Sequence, residues 1–96
     1  MRKITRMGVK VNIPPFLQHL TSDVKAVDSS GRTVGECLND LVKEFPQLET
    51  LLFSKDGELL NYLEIFINEQ SAYPNELSKS VVDGDTLHIV NVIVGG

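Results

Sequence analysis

Thr86-Leu87-His88-Ile89-Val90-Asn91-Val92-Ile93-Val94-Gly95-Gly96 is the stretch whose reading decides the fold. Its first five residues alternate, with Leu87 and Ile89 on one side, which is the period of a half-buried strand. Asn91-Val92-Ile93 then carries the chain away from that strand, so 91–96 are expected to form a flexible tail beyond the folded body. Glycine has no Cβ, so Gly95 and Gly96 can enter a channel where any side chain would clash. A carboxylate at such a tip is a poor electrophile and does nothing alone. Activated by a partner enzyme, for example as an acyl-adenylate, it accepts a nucleophile. The plain alternative is that two final glycines simply fray. The weight therefore rests on what precedes them.

Ninety-six residues suit one domain with a single modest core. Apolar residues make up 42% and charged residues 23%, as in an ordinary globular domain. A formal net charge of −4 argues against a nucleic-acid partner and favours a protein partner with a basic face. A lone cysteine rules out an internal disulfide and a cysteine-ligated cluster. No apolar run is long enough to span a bilayer, and no signal-peptide stretch follows the basic Met1-Arg2-Lys3-Ile4-Thr5-Arg6. The expected location is the cytoplasm, with no membrane association.

Residues 1–6 read as a loose arm and 7–90 as the domain. Val9, Val11 and Ile13 alternate with Lys10 and Asn12 as a first strand, which Pro14-Pro15 stops. Phe16, Leu17 and Leu20 are expected to fold back over the core, and Val24–Val27 to form a second strand. Asp28-Ser29-Ser30-Gly31 reads as a loop. Thr33 with Glu36 forms a capping box. Val34, Cys37, Leu38, Leu41, Val42 and Phe45 then make a 3.6-period stripe, so a helix runs up to Pro46. Leu48, Leu51, Leu52 and Phe53 suggest a short helical turn, and Lys55-Asp56-Gly57-Glu58 a surface loop. Leu63–Ile67 is a third strand followed by a tight turn, and Asp83-Gly84-Asp85 is the turn before the final strand. The layout is α+β, one main helix on one face of a mixed sheet, with the last strand beside the first.

Several of these segments, in this order, resemble the β-grasp fold of the ubiquitin superfamily, and within it the sulfur carriers of the MoaD/ThiS family. They are Val9-Lys10-Val11-Asn12-Ile13-Pro14, Thr33-Val34-Gly35-Glu36, Phe45-Pro46-Gln47-Leu48, Ile65-Phe66-Ile67-Asn68-Glu69, Asp83-Gly84-Asp85 and Gly95-Gly96. That family includes the small subunit of molybdopterin synthase and the carriers of thiamin and cysteine biosynthesis. The long Leu48–Leu60 segment, with Tyr62–Glu69 after it, looks more like the cysteine-biosynthesis carriers than the shortest thiamin carriers. The resemblance implies a non-catalytic protein cosubstrate. Its Gly96 would be adenylated by a partner related to the ubiquitin-activating enzymes and converted to a thiocarboxylate. The sulfur would then pass to a biosynthetic enzyme. Val92, Ile93, Val94 and Gly95 would thread the partner's active site. A ubiquitin-like modifier joined through Gly96 to lysines is the rival reading. Ubiquitin carries arginines where this chain has Val92 and Val94, which disfavours the eukaryotic ubiquitin pathway.

No residue constellation suits catalysis by the chain itself. Cys37 lies in the helix stripe and reads as a buried hydrophobe. His19 and His88 lack metal-ligand spacing, so no metal is expected. No glycine-rich phosphate loop is present, so ATP would be bound by the partner and no cofactor by this chain. Phe66, His88 and Val90 share the sheet face away from the helix, bordered by Lys10, and are expected to form an exposed partner-binding patch.

Overall fold

The computed structural model describes residues 8–92. The expected arm at 1–6 and the tail from 93 to 96 lie outside the described residues. Strand β1 (Val9–Asn12) leads into a four-residue helix α1 (Pro15–Gln18), then strand β2 (Ala26–Ser29). The main helix α2 (Val34–Glu44) is followed by a 3-10 turn, Pro46–Leu48, and a short helix α3 (Glu49–Leu52). Strands β3 (Leu63–Ile67) and β4 (Gln70–Ser71), a 3-10 turn at Glu76–Ser78 and strand β5 (Thr86–Asn91) complete it. This is the expected β-grasp architecture.

One mixed sheet has the order β2-β1-β5-β3-β4. β1 and β5 run parallel at its centre, with Val11 opposite Leu87 and Asn12 opposite His88. The other neighbours are antiparallel. A parallel pair needs a long crossover connection. Here nearly the whole chain supplies it, and α2 packs against β1 and β2 along the way.

Alternation decides which face meets the helix. Val9, Val11, Leu63, Ile65, Leu87 and Ile89 are all buried on the inner side. The α2 stripe meets them with Val34, Cys37, Leu38 and Leu41, each fully buried. Thr33 Oγ1 accepts the Glu36 N–H at 3.1 Å, and the Glu36 carboxylate accepts the Arg32 N–H at 2.7 Å. Both bonds satisfy donors that a helix start would otherwise leave open. At the other end Phe45 leaves helical geometry at φ −130° and ψ 80°, as the following proline requires.

Two parts differ from the expectation, and a third, the expected helical turn after α2, adds to it. α1 starts at Pro15, where a missing N–H is harmless, and seats Leu17 in the core while Phe16 stays exposed. β2 begins two residues late. Ser22 and Asp23 adopt left-handed backbone, and the Val24 N–H closes a turn onto the Thr21 carbonyl. The strand then takes in Asp28 and Ser29 from the expected loop. A shift of two keeps every side chain on its face, so Val27 still sits opposite Val11. Finally, Leu48 and Leu52 are fully buried, so the segment after α2 closes the core beside it.

Gly8 is required where β1 begins. Its φ is +102°, and a Cβ there would stand 2.6 Å from the Ser29 carbonyl oxygen. Its N–H reaches the Asp83 carboxylate at 3.1 Å and its carbonyl accepts the Gly84 N–H at 2.9 Å. Asp85 accepts the Val82 N–H and the Asn68 side-chain amide. The two aspartates are therefore turn-formers. Among the described residues no helix is long and apolar enough to cross a membrane.

Leu41 is completely buried where α2 meets the sheet. Leu41→Ala should lower unfolding free energy by about 2–5 kcal/mol in urea denaturation, the usual cost of truncating a buried leucine. A loss near zero would mean that this contact does not organise the core.

Candidate functional site

β5 delivers the C-terminal stretch, so the site is built from its far end and from the sheet face it crosses. On the outer face, registers place Ala26, Asn12, His88, Phe66 and Ser71 in one row across five strands. Lys10 lies opposite both Thr86 and Asp28, and Glu64 lies opposite Val90. The expected group of Phe66, His88 and Val90 is thus brought together on one face. Its exposure is less than expected. Val90 is 37% exposed, whereas Phe66 and His88 are half-buried. Each lies in an internal strand with a neighbour on both sides, and an aromatic ring lies over those neighbours.

His88 is held in place. The Asn12 amide nitrogen lies 3.1 Å from its Nδ1. An amide NH2 only donates, so in this pairing Nδ1 is the acceptor and the ring proton sits on Nε2. Glu64 is held as well, accepting the Ser71 hydroxyl at 2.5 Å. A face with a half-buried ring, an oriented imidazole, a held carboxylate and a nearby lysine has the mixed character of a protein-docking surface.

The root of the C-terminal stretch is firmer than the sequence suggested. Asn91, expected in the tail, is the last residue of β5 and lies opposite Leu63. Val92 follows, with its N–H donating to the Tyr62 carbonyl at 2.7 Å. The ladder therefore continues to Val92, because Tyr62 still offers an aligned acceptor there. Val92, one of the four residues expected to thread the partner, is accordingly anchored to the domain. The expectations for Ile93, Val94, Gly95 and Gly96 lie outside the described residues.

Beside this root is a groove of about 400 Å3 whose walls include Leu59, Leu60, Tyr73 and Val92. Tyr73 is 71% exposed and Tyr62 is 42% exposed. Sequence reasoning assigned neither tyrosine a role. The available signal was Tyr62 immediately before an apolar strand, and Tyr73 beside Pro74 in a segment with no period.

Cys37 is fully buried inside α2. Burial pushes its thiol up from an ordinary value of 9.0, with nearby Asp40 and Glu36 adding to the rise against a hydrogen bond from Ser29. Such a thiol is a poor nucleophile at neutral pH. His19 is exposed at the end of α1. Among the described residues no group of three or more His, Cys, Asp or Glu is placed to hold a metal.

Comparison with known proteins bears directly on this arrangement. The ThiS family model matches residues 11–96. The sulfur carrier protein CysO of Mycobacterium tuberculosis is 30% identical over 93 residues, spanning 94% of this chain and 100% of that protein. Small archaeal modifier protein 1 of Haloferax volcanii is 35% identical over 71 residues, spanning 73% of this chain and 78% of that protein. The crystal structure of the Amycolatopsis orientalis BexX/CysO complex superposes with a TM-score of 0.81 at 29% identity. It covers 93% of this chain and 100% of the matched one.

The buried thiol sets an alkaline limit on stability. The unfolded chain releases the Cys37 proton near 9.0 while the folded chain still holds it. Stability should therefore fall as pH rises from there to the higher folded value, and be unaffected by this group below it. Urea denaturation at several pH values should give a steeper alkaline decline for wild type than for Cys37→Ala. Equal slopes would show that the thiol ionises as easily folded as unfolded.

Proposed function

This chain belongs to the ThiS family of ubiquitin-like sulfur carriers, and from that premise we propose that Gly96 carries sulfur as a thiocarboxylate. The carboxylate oxygen of Gly96 attacks the α-phosphorus of ATP held by a ubiquitin-activating-enzyme-like partner, and pyrophosphate leaves. A hydrosulfide equivalent then displaces AMP from the acyl-adenylate. A biosynthetic enzyme takes the sulfur, and cysteine biosynthesis is the acceptor route we favour. The chain contributes no catalytic group. It contributes a tip narrow enough for a closed site and a surface that holds that tip in line.

The observation that carries this reading is the family match that runs through Gly96, together with a full-length relative named as a sulfur carrier. The sheet supports it physically. β5 is central, paired with β1 through Thr86–His88 and with β3 through Leu87–Asn91, so its end is held by β3. A braced root converts docking of the domain into placement of the tip, which is how positioning lowers a barrier. Phe66, His88 and Val90 would form the docking face, and Ile93, Val94 and Gly95 would enter the partner. That a relative is found in a complex with BexX supports docking as the working mode.

A second reading has its own support in the likeness to small archaeal modifier protein 1. In it the activated Gly96 is joined to lysine amines of other proteins. Both readings use the same adenylate and differ in the nucleophile. Tryptic peptides carrying the 80–96 segment in isopeptide linkage to lysines, from cells producing this chain, would favour the modifier.

Intact mass spectrometry after incubation with an activating partner, ATP and sulfide should give a gain equal to sulfur minus oxygen, located at Gly96. One residue added after Gly96 displaces the carboxylate by up to about 3.3–3.6 Å and should abolish the gain. Gly95→Val should block it with an unchanged melting temperature. Phe66→Ala should raise KM for the carrier roughly five- to thirtyfold, the effect of losing one or two kcal/mol at an aromatic anchor. A wild-type chain that never gains the mass, yet performs its cellular role, would overturn the proposal.

A further inference from the structure

Resting on that carrier reading, we infer that the acidic groove at the root of β5 is a second docking surface. Its occupant is a basic segment with an apolar anchor on the protein that takes up the tail. Val92, the last described residue and paired to Tyr62, is itself part of the groove wall. The next four residues lead to Gly96. Fully extended, they reach roughly 13–14 Å. A partner that encloses Gly96 must therefore bring the rim of its own active site close to Val92, and so onto whatever surrounds Val92. The outer sheet face is one part of that surround, and the groove at the β3 edge is the other.

The chemistry of the groove specifies what fits. Its floor and walls include Leu59, Leu60 and Leu63, with the ring of Tyr73 standing exposed beside them. A neighbouring depression shares Leu59 and Glu76 with it and adds Glu58, so the two are continuous. Among the described residues, Glu58, Glu64 and Glu76 are the charged ones lining this continuous surface, with no Lys, Arg or His beside them in the lining. An apolar cleft edged by three carboxylates favours an apolar side chain flanked by Arg or Lys, and disfavours an acidic segment. Exposed tyrosine is among the residues that commonly anchor interfaces. A chain with a net charge of −4 has the same preference overall, but the groove concentrates it beside the reacting tip.

The test uses full-length chain and the purified ubiquitin-activating-enzyme-like protein of the same organism, with ATP–pyrophosphate exchange as the readout. Glu76→Lys should raise KM for the carrier about tenfold, one decade of affinity, with kcat unchanged. Tyr73→Ser should raise KM several-fold, and Glu44→Lys, the same charge change on the solvent side of α2, should leave it alone. KM for wild type should climb with ionic strength more steeply than for Glu76→Lys. Thermal melts of each variant check that the fold is intact. If wild type exchanges pyrophosphate and both groove variants keep its KM, the groove proposal fails while the carrier reading stands. If wild type does not exchange at all, both fall. A wild-type dimer in sedimentation that Glu76→Lys dissolves would assign the groove to a second copy and overturn the proposal as well.

Discussion

The parallel pairing of β1 with β5 is the constraint on which the rest depends. It joins the first described strand to the last, Val11 beside Leu87 and Asn12 beside His88. Such a pair closes only after nearly the whole chain has been ordered between its members, and closing it carries the entropy of that long loop. The return comes from burial. Val9, Val11, Leu87 and Ile89 all lie against the core. Each fully buried aliphatic side chain contributes about 1.5–3 kcal/mol. Because β5 sits between β1 and β3, its direction is set by two ladders at once. The β1 ladder stops at His88, and the β3 ladder alone carries the strand on to Asn91.

The covering layer follows from the same geometry. α2 spans eleven residues and packs on β1 and β2, on one side of the central strand. It leaves the remaining inner face to other groups. Leu48 and Leu52 fill there, Ala72 and Val81 are buried too, and Leu17 seals another margin. The long segment between α2 and β3 is therefore structural as well as superficial. It also makes the groove, because Leu59 and Leu60 emerge from it just before β3 begins.

What the sequence revealed depended on period and length. α2 was legible because Val34, Leu38 and Leu41 repeat at helical spacing behind a capping pair. β3 was legible to the residue because Leu63, Ile65 and Ile67 alternate. α1 has four residues, barely one turn, and no period can form in that length. The start of β2 depended on left-handed backbone at Ser22 and Asp23, which polar residues adopt without announcing it. At the site, alternation placed Phe66, His88 and Val90 on one face. Half-burial of the first two came from neighbours in adjacent strands, and single-strand reading has no access to those. Asn91 and Val92 were misjudged for a related reason. Nothing in Asn91-Val92-Ile93 marks the end of a strand, and the Tyr62 carbonyl that extends the ladder is thirty residues earlier.

Anchoring Val92 changes what the terminal stretch has to do. A tail free from Asn91 onward would sample many directions, and each would have to be ordered on docking at about 1–2 kcal/mol per residue. Pairing residues 91 and 92 within the domain removes that cost for two of them before any partner arrives. The same pairing shortens the reach of the tip, so a partner must approach the domain closely to enclose it. Close approach requires the surrounding surface to match. The chain surrounds its exit with an oriented His88 and the Phe66 ring on one side, and carboxylates over leucines on the other. Under the proposed reading, whether an activated glycine meets a sulfur nucleophile or a lysine amine would depend on the partner's chemistry. Which partner comes close enough to offer that chemistry is what these two surfaces would select.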